Sequence, residues 1–125
     1  EYSFYGKVSK KGTRVEMASP VFDIAETQKN TGKIVPIYPL TYKLSQNTIR
    51  QIIENGLNEI EDELEETIPA YIREKYNLLN INNAVRNVHF PQEFEDFKRA
   101  RTRLVFDELL GMQLALLSLN DYPSL

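Results

Sequence analysis

The sequence has no cysteine and only one histidine among its 125 residues. Without cysteine there is no disulfide bond, thiol nucleophile or cysteine-ligated zinc, and this suits the reducing cytoplasm in which we expect the protein. A single histidine excludes a metal site built from several histidines. The phosphate-binding pattern GxxxxGK[ST] is also missing, since Gly6-Lys7 lacks the upstream glycine and the following hydroxyl residue. We therefore expect neither ATP hydrolysis nor any catalytic, cofactor-binding or metal-binding residue in this chain.

Positive charge is not in excess, because the formal net charge is −3. Any contact with nucleic acid would therefore have to come from a local basic patch. The length and the composition, with 42% apolar and 26% charged residues, are ordinary for one domain with a sizeable core or two small pieces packed together. The chain begins at Glu1 without a Met or a signal-peptide pattern, so we expect it to be part of a longer protein.

The longest segment that can form one uninterrupted helix is Glu93–Leu119. Its first half is amphipathic, and steps of three and four residues predict one core-facing stripe. From Leu104 to Leu119 apolar residues point in nearly every helical direction, so this half must be covered on all sides. Polar residues interrupt the run, which favours burial in protein over a membrane span. Either this chain folds around the helix, or protein outside the chain covers it. The predicted stripe contains Phe94, Phe97, Arg101, Leu104 and Glu108.

Residues 1–44 show the two-residue period of strands. Tyr2–Val8 and Arg14–Met17 predict a β-hairpin with one buried face. Val21–Ile24 adds a short extended piece, and the polar segment Ala25–Lys33 predicts a loop with a mobile tip. Ile34–Leu40 is β-branched and aromatic, but its two prolines cannot donate to a β-ladder, so it is an edge strand or an extended strap.

From Ser45 the apolar period changes to 3.6 residues and predicts helices. Ser45 is a good N-cap for a helix that runs to about Glu66, and Pro69 fits the first turn of a helix over Pro69–Tyr76. Asn77 can adopt the left-handed conformation that ends this second helix. A third helix over Ile81–Val88 then begins after the N-cap residue Asn80.

Two features could carry chemistry, but each has a simpler interpretation. The acidic run Glu59–Glu66 could serve acid–base or Mg²⁺ chemistry, yet its carboxylates alternate with apolar residues at helical spacing, which favours a solvated helix face. His89 lies where the third helix meets the long one. Hydrogen bonding to a helix end or to the next turn is favoured there over a catalytic or switching role.

Six short motifs occur in order over nearly the whole chain. They are Ile34-Val35-Pro36-Ile37-Tyr38-Pro39-Leu40-Thr41, Leu44-Ser45-Gln46, Pro69 with Tyr76 and Leu78, His89-Phe90-Pro91, Ala100-Arg101-x-Arg103-Leu104, and Phe106-x-Glu108-Leu109 with Gln113-Leu114-Ala115-Leu116. Together they closely resemble the RecG-type ATP-dependent DNA helicases. Gly6-Lys7-Val8, Gly12 and Glu16-Met17 look like the last two strands of that family's wedge domain, an OB-type barrel.

The chain departs from the family pattern at three places. It has Ala18-Ser19-Pro20-Val21-Phe22 where the family usually has Asn-Pro-Glu before the aromatic residue, and Tyr42-Lys43 where the family usually has Glu-Gly before Leu-Ser-Gln. The family's glycine after the tyrosine of the second helix is Asn77 here. These differences indicate a divergent member of the family.

The resemblance implies an α+β fold that is mainly α. A small partial OB-type antiparallel β unit over residues 1–44 would be the C-terminal strands of the wedge. Three to four helices over residues 45–125, ending in one long buried helix, would link it to the first motor domain.

The resemblance also implies a function. The longer protein would use ATP and Mg²⁺ in its motor domains to remodel branched DNA, such as stalled forks and Holliday junctions, in repair and recombination. This segment would couple the wedge to the motor, with branched DNA and the motor and N-terminal domains as partners and no membrane. By itself the chain is expected to self-associate through surfaces that its parent covers. The alternative is a helical protein-interaction module that self-associates and has no nucleic-acid role.

Basic residues on the predicted hairpin are the first candidates for contact with DNA phosphates: Lys7, Lys10, Lys11 and Arg14. Such contacts would position the DNA rather than read its bases. Lysine-rich hairpin tips also serve solubility and protect strand edges, and this alternative remains open.

A second basic run lies in the long helix. Arg99 and Arg103, four residues apart on the predicted outer face, could reach DNA or a motor domain. Arg101 lies on the predicted core-facing stripe. We expect it to form a buried ion pair with Glu108 or with a carboxylate of the acidic helix.

Overall fold

The computed structural model describes residues 1–27, 31–60 and 63–120, except for the side chain of Asn120. The chain divides into two compact units, Glu1–Arg50 and Gln51–Leu125. The predicted mobile loop tip at residues 28–30, part of the acidic run at residues 61–62, and the C-terminal tail lie outside the described residues. The strands are β1 (Tyr2–Tyr5), β2 (Val8–Lys11), β3 (Arg14–Met17) and β4 (Val21–Ile24), and the helices are α1 (Gln46–Ile60), α2 (Ala70–Lys75), α3 (Ile81–His89) and α4 (Phe94–Asn120).

The strands form two antiparallel pairs, β2 with β3 and β1 with β4. The predicted hairpin is thus confirmed for β2 and β3, but a continuous strand over Tyr2–Val8 is wrong because the chain leaves β1 before Gly6. A Cβ at Gly6 would lie 3.0 Å from the Cγ and Sδ of Met17 and 3.3 Å from the Cα of Pro20. Glycine allows this close approach, and β1 pairs with Val21–Ile24 instead of with β3.

The prediction of one buried face on the hairpin is wrong. Both faces of β2 are exposed, and in β3 only Met17 is partly covered. The physical reason is that two strands pair through their backbones but provide no second layer to cover either face.

The segment 34–40 is an extended strap rather than a strand, as one of the two predicted alternatives required. The side chain of Gln46 takes the place of a neighbouring strand: its Oε1 accepts from the backbone N–H of Tyr38 at 3.0 Å and its Nε2 donates to the Tyr38 carbonyl at 2.7 Å. Arg50 Nε donates to the carbonyl of Pro36 at 2.8 Å. These side chains satisfy backbone groups of a segment whose prolines do not suit a β-ladder.

The predicted helix caps are confirmed. Ser45 Oγ accepts from the backbone N–H of Thr48 at 3.1 Å at the start of α1, and Asn80 Oδ1 accepts from the N–H of Asn83 at 2.8 Å at the start of α3. After α2, Asn77 has the expected left-handed φ of 51°. Each of these signals depends on a few neighbouring residues, which explains why the sequence reveals them.

Helix α1 ends at Ile60, so the prediction that it continues to about Glu66 is wrong. Residues 63–69 are not helical. Asn82 of α3 binds this connection at Leu64, accepting from its N–H through Oδ1 at 3.1 Å and donating to its carbonyl through Nδ2 at 3.2 Å. Tertiary hydrogen bonds therefore replace the helical ones here.

The long helix α4 is confirmed, and its first half packs against α3. Ala84 of α3 and Ala100 of α4 are both fully buried. The second half is different, because its large apolar side chains are more than half exposed: Leu109, Met112, Leu114, Leu116, Leu117 and Leu119. The alternative in which this chain folds around the whole helix is therefore wrong. None of the helices in the described part of the chain is long and apolar enough to cross a membrane.

Candidate nucleic-acid interface

Charge is distributed unequally between the two units. Residues 1–50 contain eight Lys and Arg against four Asp and Glu, a formal charge of +4. Residues 51–125 contain seven against fourteen, a formal charge of −7, and the two values together give the −3 of the whole chain. The net charge of the chain thus concealed a basic unit, which is the electrostatic property expected of a surface that binds phosphates.

The β2–β3 hairpin displays cations on both of its faces. Lys11 lies directly opposite Arg14, so these two side chains share one face, whereas Lys10 lies opposite Val15 on the other. Gly12, with a φ of +64°, begins the two-residue turn between the strands. This is the position at which a type II′ hairpin turn requires glycine.

The hairpin cations are available to solvent. Lys7, Lys10, Lys11 and Arg14 are all exposed. Lys11 Nζ lies 3.8 Å from Glu16 Oε2, but the two side chains are 78% and 46% exposed. Such an exposed pair is weak and would not prevent Lys11 from contacting a phosphate. Contact of these four residues with DNA stays a prediction.

The two arginines predicted on the outer face of the long helix have different environments. Arg99 is exposed. Arg103 is 0% exposed, so its assignment to the outer face is wrong. Its guanidinium is not accessible to a phosphate. It pairs with Asp107 one turn further along α4 and, at 2.5 Å through Nη2, with Glu66 Oε1.

Arg101, which we predicted to be buried, is exposed. The expected ion pair between an arginine of the long helix and a carboxylate of the acidic run does exist, but Arg103 makes it. The error comes from the rotation of the helix: the small side chain of Ala100 faces the core, and residues three and four positions further on share that face.

Glu66 is not part of a solvated helix face, so that interpretation of the acidic run is wrong for this residue. In addition to Arg103, its carboxylate accepts from the backbone N–H groups of Ile68 at 3.0 Å and Ile81 at 2.9 Å. Arg73 Nε lies 3.6 Å away. Burial alone would raise the pKa of Glu66, but the two backbone donors and Arg103 outweigh it and hold the pKa below its usual value. The carboxylate is therefore held as an anion that connects these segments.

His89 is the last residue of α3 and is partly buried. Burial lowers its pKa below the usual value of 6.5, because desolvation disfavours the charged imidazolium. A neutral imidazole at this junction fits a structural role. The predicted hydrogen bond to a helix end stays a prediction.

Sequence reasoning missed an aromatic surface on the β1–β4 pair. Tyr2, Phe4 and Phe22 have ring centroids 6.0 to 6.5 Å apart. The three side chains are 59 to 60% exposed. The alternation of Tyr2 and Phe4 was the available signal, but it was interpreted as a face buried within this chain. The three rings therefore form an exposed apolar surface on the β1–β4 pair.

Comparison with known proteins agrees with the resemblance drawn from the motifs. Residues 1–60 match the model of the RecG wedge domain family. The ATP-dependent DNA helicase RecG of Thermotoga maritima is 41% identical over 83 residues, which is 66% of this chain and 11% of that protein. The protein of the same name from Treponema pallidum is 30% identical over 112 residues, or 90% of this chain and 16% of that protein.

A solved structure extends the agreement to the fold. The structure of RecG bound to a three-way DNA junction matches 94% of this chain with a TM-score of 0.78 and 32% sequence identity. The match covers 16% of that chain, so the present chain spans about a sixth or less of the length of the relatives it matches. The expected fold, a small β unit followed by helices that end in a long one, is confirmed. Motifs, sequence and three-dimensional structure thus agree that the chain belongs to the RecG family of DNA helicases.

Proposed function

We propose that this chain is part of an ATP-dependent DNA helicase that remodels branched DNA, including stalled forks and Holliday junctions, in repair and recombination in the cytoplasm. The similar proteins carry that helicase name, and the similar solved structure is bound to a three-way junction. Since the sequence has no phosphate-binding loop, ATP, Mg²⁺ and hydrolysis belong to motor domains outside this chain. These similarities do not favour the alternative of an interaction module without a nucleic-acid role.

The observation that carries the proposal is the exposed basic hairpin on a unit of formal charge +4. Lys10 faces one side of the hairpin, whereas Lys11 and Arg14 face the other. A hairpin placed between two diverging strands would meet a phosphate backbone on each side, so this distribution suits a branch point better than the side of a continuous duplex. Lys7 and Arg99 are further phosphate contacts in this proposal.

Fluorescence anisotropy with a labelled three-way junction and with plain duplex, each at several salt concentrations, tests this function. The five proposed phosphate contacts predict a slope of about −4.5 for the logarithm of affinity against the logarithm of salt, which is about a 500-fold loss from 50 to 200 mM salt. Changing Lys10 to Ala should make the slope shallower by about 0.9. The matched control is Lys75→Ala, which removes an exposed cation of the acidic unit.

A salt-independent affinity, or equal effects of Lys10→Ala and Lys75→Ala, would remove the hairpin from the DNA interface. Equal binding of junction and duplex would contradict the branch-point arrangement while leaving phosphate contact in place.

The exposed apolar half of α4 is the proposed coupling surface. Within the longer protein it would pack against the first motor domain, so that wedge and motor move together, and the N-terminal domain is the other intramolecular partner. Lacking these partners, the isolated chain should bury Leu116 and its neighbours by self-association. Light scattering should show a mass that rises with concentration, and Leu116→Glu should weaken this rise. A monodisperse monomer at high concentration would contradict the proposal.

A further inference from the structure

Arg103 is the one large cationic side chain that the described residues bury completely. It lies where the covered first half of α4 meets the exposed second half. Its two terminal nitrogens bind carboxylates from different places, Glu66 in the connection before α2 and Asp107 in α4 itself. Its Nε has no acceptor among the described residues. A planar guanidinium with two fixed partners has few alternative orientations.

The carboxylate of Glu66 extends this network to two other segments. It accepts from the N–H of Ile68, just before α2, and from the N–H of Ile81, the first residue of α3. One carboxylate and one guanidinium therefore tie together the connection before α2, the start of α3 and the middle of α4. We call Glu66, Arg103 and Asp107 the ionic node.

From this geometry we propose that the ionic node fixes the direction in which the second half of α4 leaves the helical unit, with Arg103 as the positioning residue. Buried ion pairs are a poor source of net stability, because desolvation of both charges cancels much of their attraction. Their geometry is specific, however, whereas apolar packing tolerates small rotations. The ionic node is thus suited to fixing the direction of the second half of α4.

The direction of the second half of α4 matters because a small tilt at its start becomes a larger displacement at its far end. Residues 104–119 extend about 24 Å beyond Arg103 at the standard helical rise, so a tilt of about 10° at Arg103 moves the far end by about 4 Å. A displacement of that size would misplace the surface that receives a neighbouring domain. The consequence for coupling rests on the proposed function, but the geometric role of Arg103 does not.

Pulsed electron paramagnetic resonance on the whole chain tests the proposal directly. Because the chain contains no cysteine, spin labels can be placed at Asn83→Cys in α3 and Ser118→Cys in α4, both exposed in the same unit. Arg103→Met removes the guanidinium but keeps apolar bulk, and Arg103→Lys keeps the charge without the planar geometry. Arg101→Met, an exposed position two residues away, is the matched control.

We expect a narrow distance distribution in the parent and in Arg101→Met, and a distribution shifted or broadened by about 4 Å in both Arg103 variants. If the Arg103 variants fail to fold, Asp107→Asn removes one carboxylate partner while leaving the Glu66 hydrogen bonds, and it should broaden the distribution as well. Parent-like distances in a folded Arg103→Met, or in Asp107→Asn where the former does not fold, would overturn the proposal. Failure of the proposed function would instead appear as lost junction binding with unchanged distances.

Discussion

The side chain of Gln46 should hold the middle of the strap over residues 34–40, at Tyr38, against α1. Gln46 makes both hydrogen bonds that a neighbouring strand would make to Tyr38, at 3.0 and 2.7 Å. Gln46→Ala removes both at once and leaves a partly buried N–H and carbonyl without these partners. Gln46→Glu keeps an acceptor for the N–H but has no donor for the carbonyl, so its effect should be intermediate.

The magnitude follows from the two bonds. Each contributes a net of about 0.5–1.5 kcal/mol, and the partial burial of the backbone groups keeps the unsatisfied-group penalty toward the low end of its range of about 1–3 kcal/mol. We therefore expect Gln46→Ala to lower the free energy of local opening at Tyr38 by about 2 kcal/mol. That corresponds to amide exchange about 30-fold faster.

Hydrogen exchange followed by NMR measures this effect at the Tyr38 amide itself. Gln51→Ala, an exposed glutamine of the same helix, is the matched control and should leave Tyr38 exchange unchanged. If Tyr38 exchanges at the same rate in Gln46→Ala as in the parent, the strap is held by other contacts and the reasoning from Gln46 is wrong.

Three further predictions concern protonation and backbone strain. The folded-state pKa of Glu66 is lowered, so its stabilisation is complete above the unfolded-state pKa of about 4.5 and is lost as the pH falls toward the folded-state value. The difference in unfolding free energy between the parent and Glu66→Gln, measured with urea, should therefore shrink from about pH 6 to about pH 3, and a constant difference would contradict it. His89 should titrate by NMR with a midpoint below 6.5, and a midpoint at or above that value would contradict its desolvation. Lys43→Gly should stabilise the chain by about 0.5–1 kcal/mol in urea unfolding, because Lys43 has a φ of 66°; Tyr42→Gly, at an ordinary φ, is the control and should destabilise.

Local signals in the sequence predicted the helical part of the fold well. Ser45, Asn77 and Asn80 act through hydrogen bonds or backbone conformations within a few residues of themselves, so their effect can be read without knowing the fold. The end of α1 was missed because the connection after it bonds to residues that are distant in sequence, Leu64 to Asn82 and Glu66 to Arg103. No local pattern distinguishes a carboxylate that will face solvent from one that will receive such partners.

The candidate DNA interface was predicted less completely, for two physical reasons. Strand pairing is non-local: the close approach of Gly6 to Met17 and Pro20, which separates β1 from β2, leaves no trace in the alternation of Tyr2–Val8. Helical rotation is sensitive to single residues, so the choice between Arg101 and Arg103 as the buried arginine depended on whether Ala100 faces the core.

The departures from the family pattern acquire a physical meaning in the structure. The described non-glycine residues with positive φ are Ser19 at 45°, Lys43 at 66° and Asn77 at 51°. Lys43 and Asn77 stand where the family pattern has Gly, the residue type that adopts this conformation at least cost. A residue with a side chain stays in this conformation only where the surrounding contacts hold it in place. For Lys43 those contacts include the turn just before Gln46. In this turn the backbone N–H of Leu44 donates to the carbonyl of Thr41 at 3.1 Å. The strain is smallest at Asn77, so glycine there should gain less than glycine at Lys43, and an equal gain at both positions would show that surrounding contacts, rather than intrinsic φ preference, set the cost.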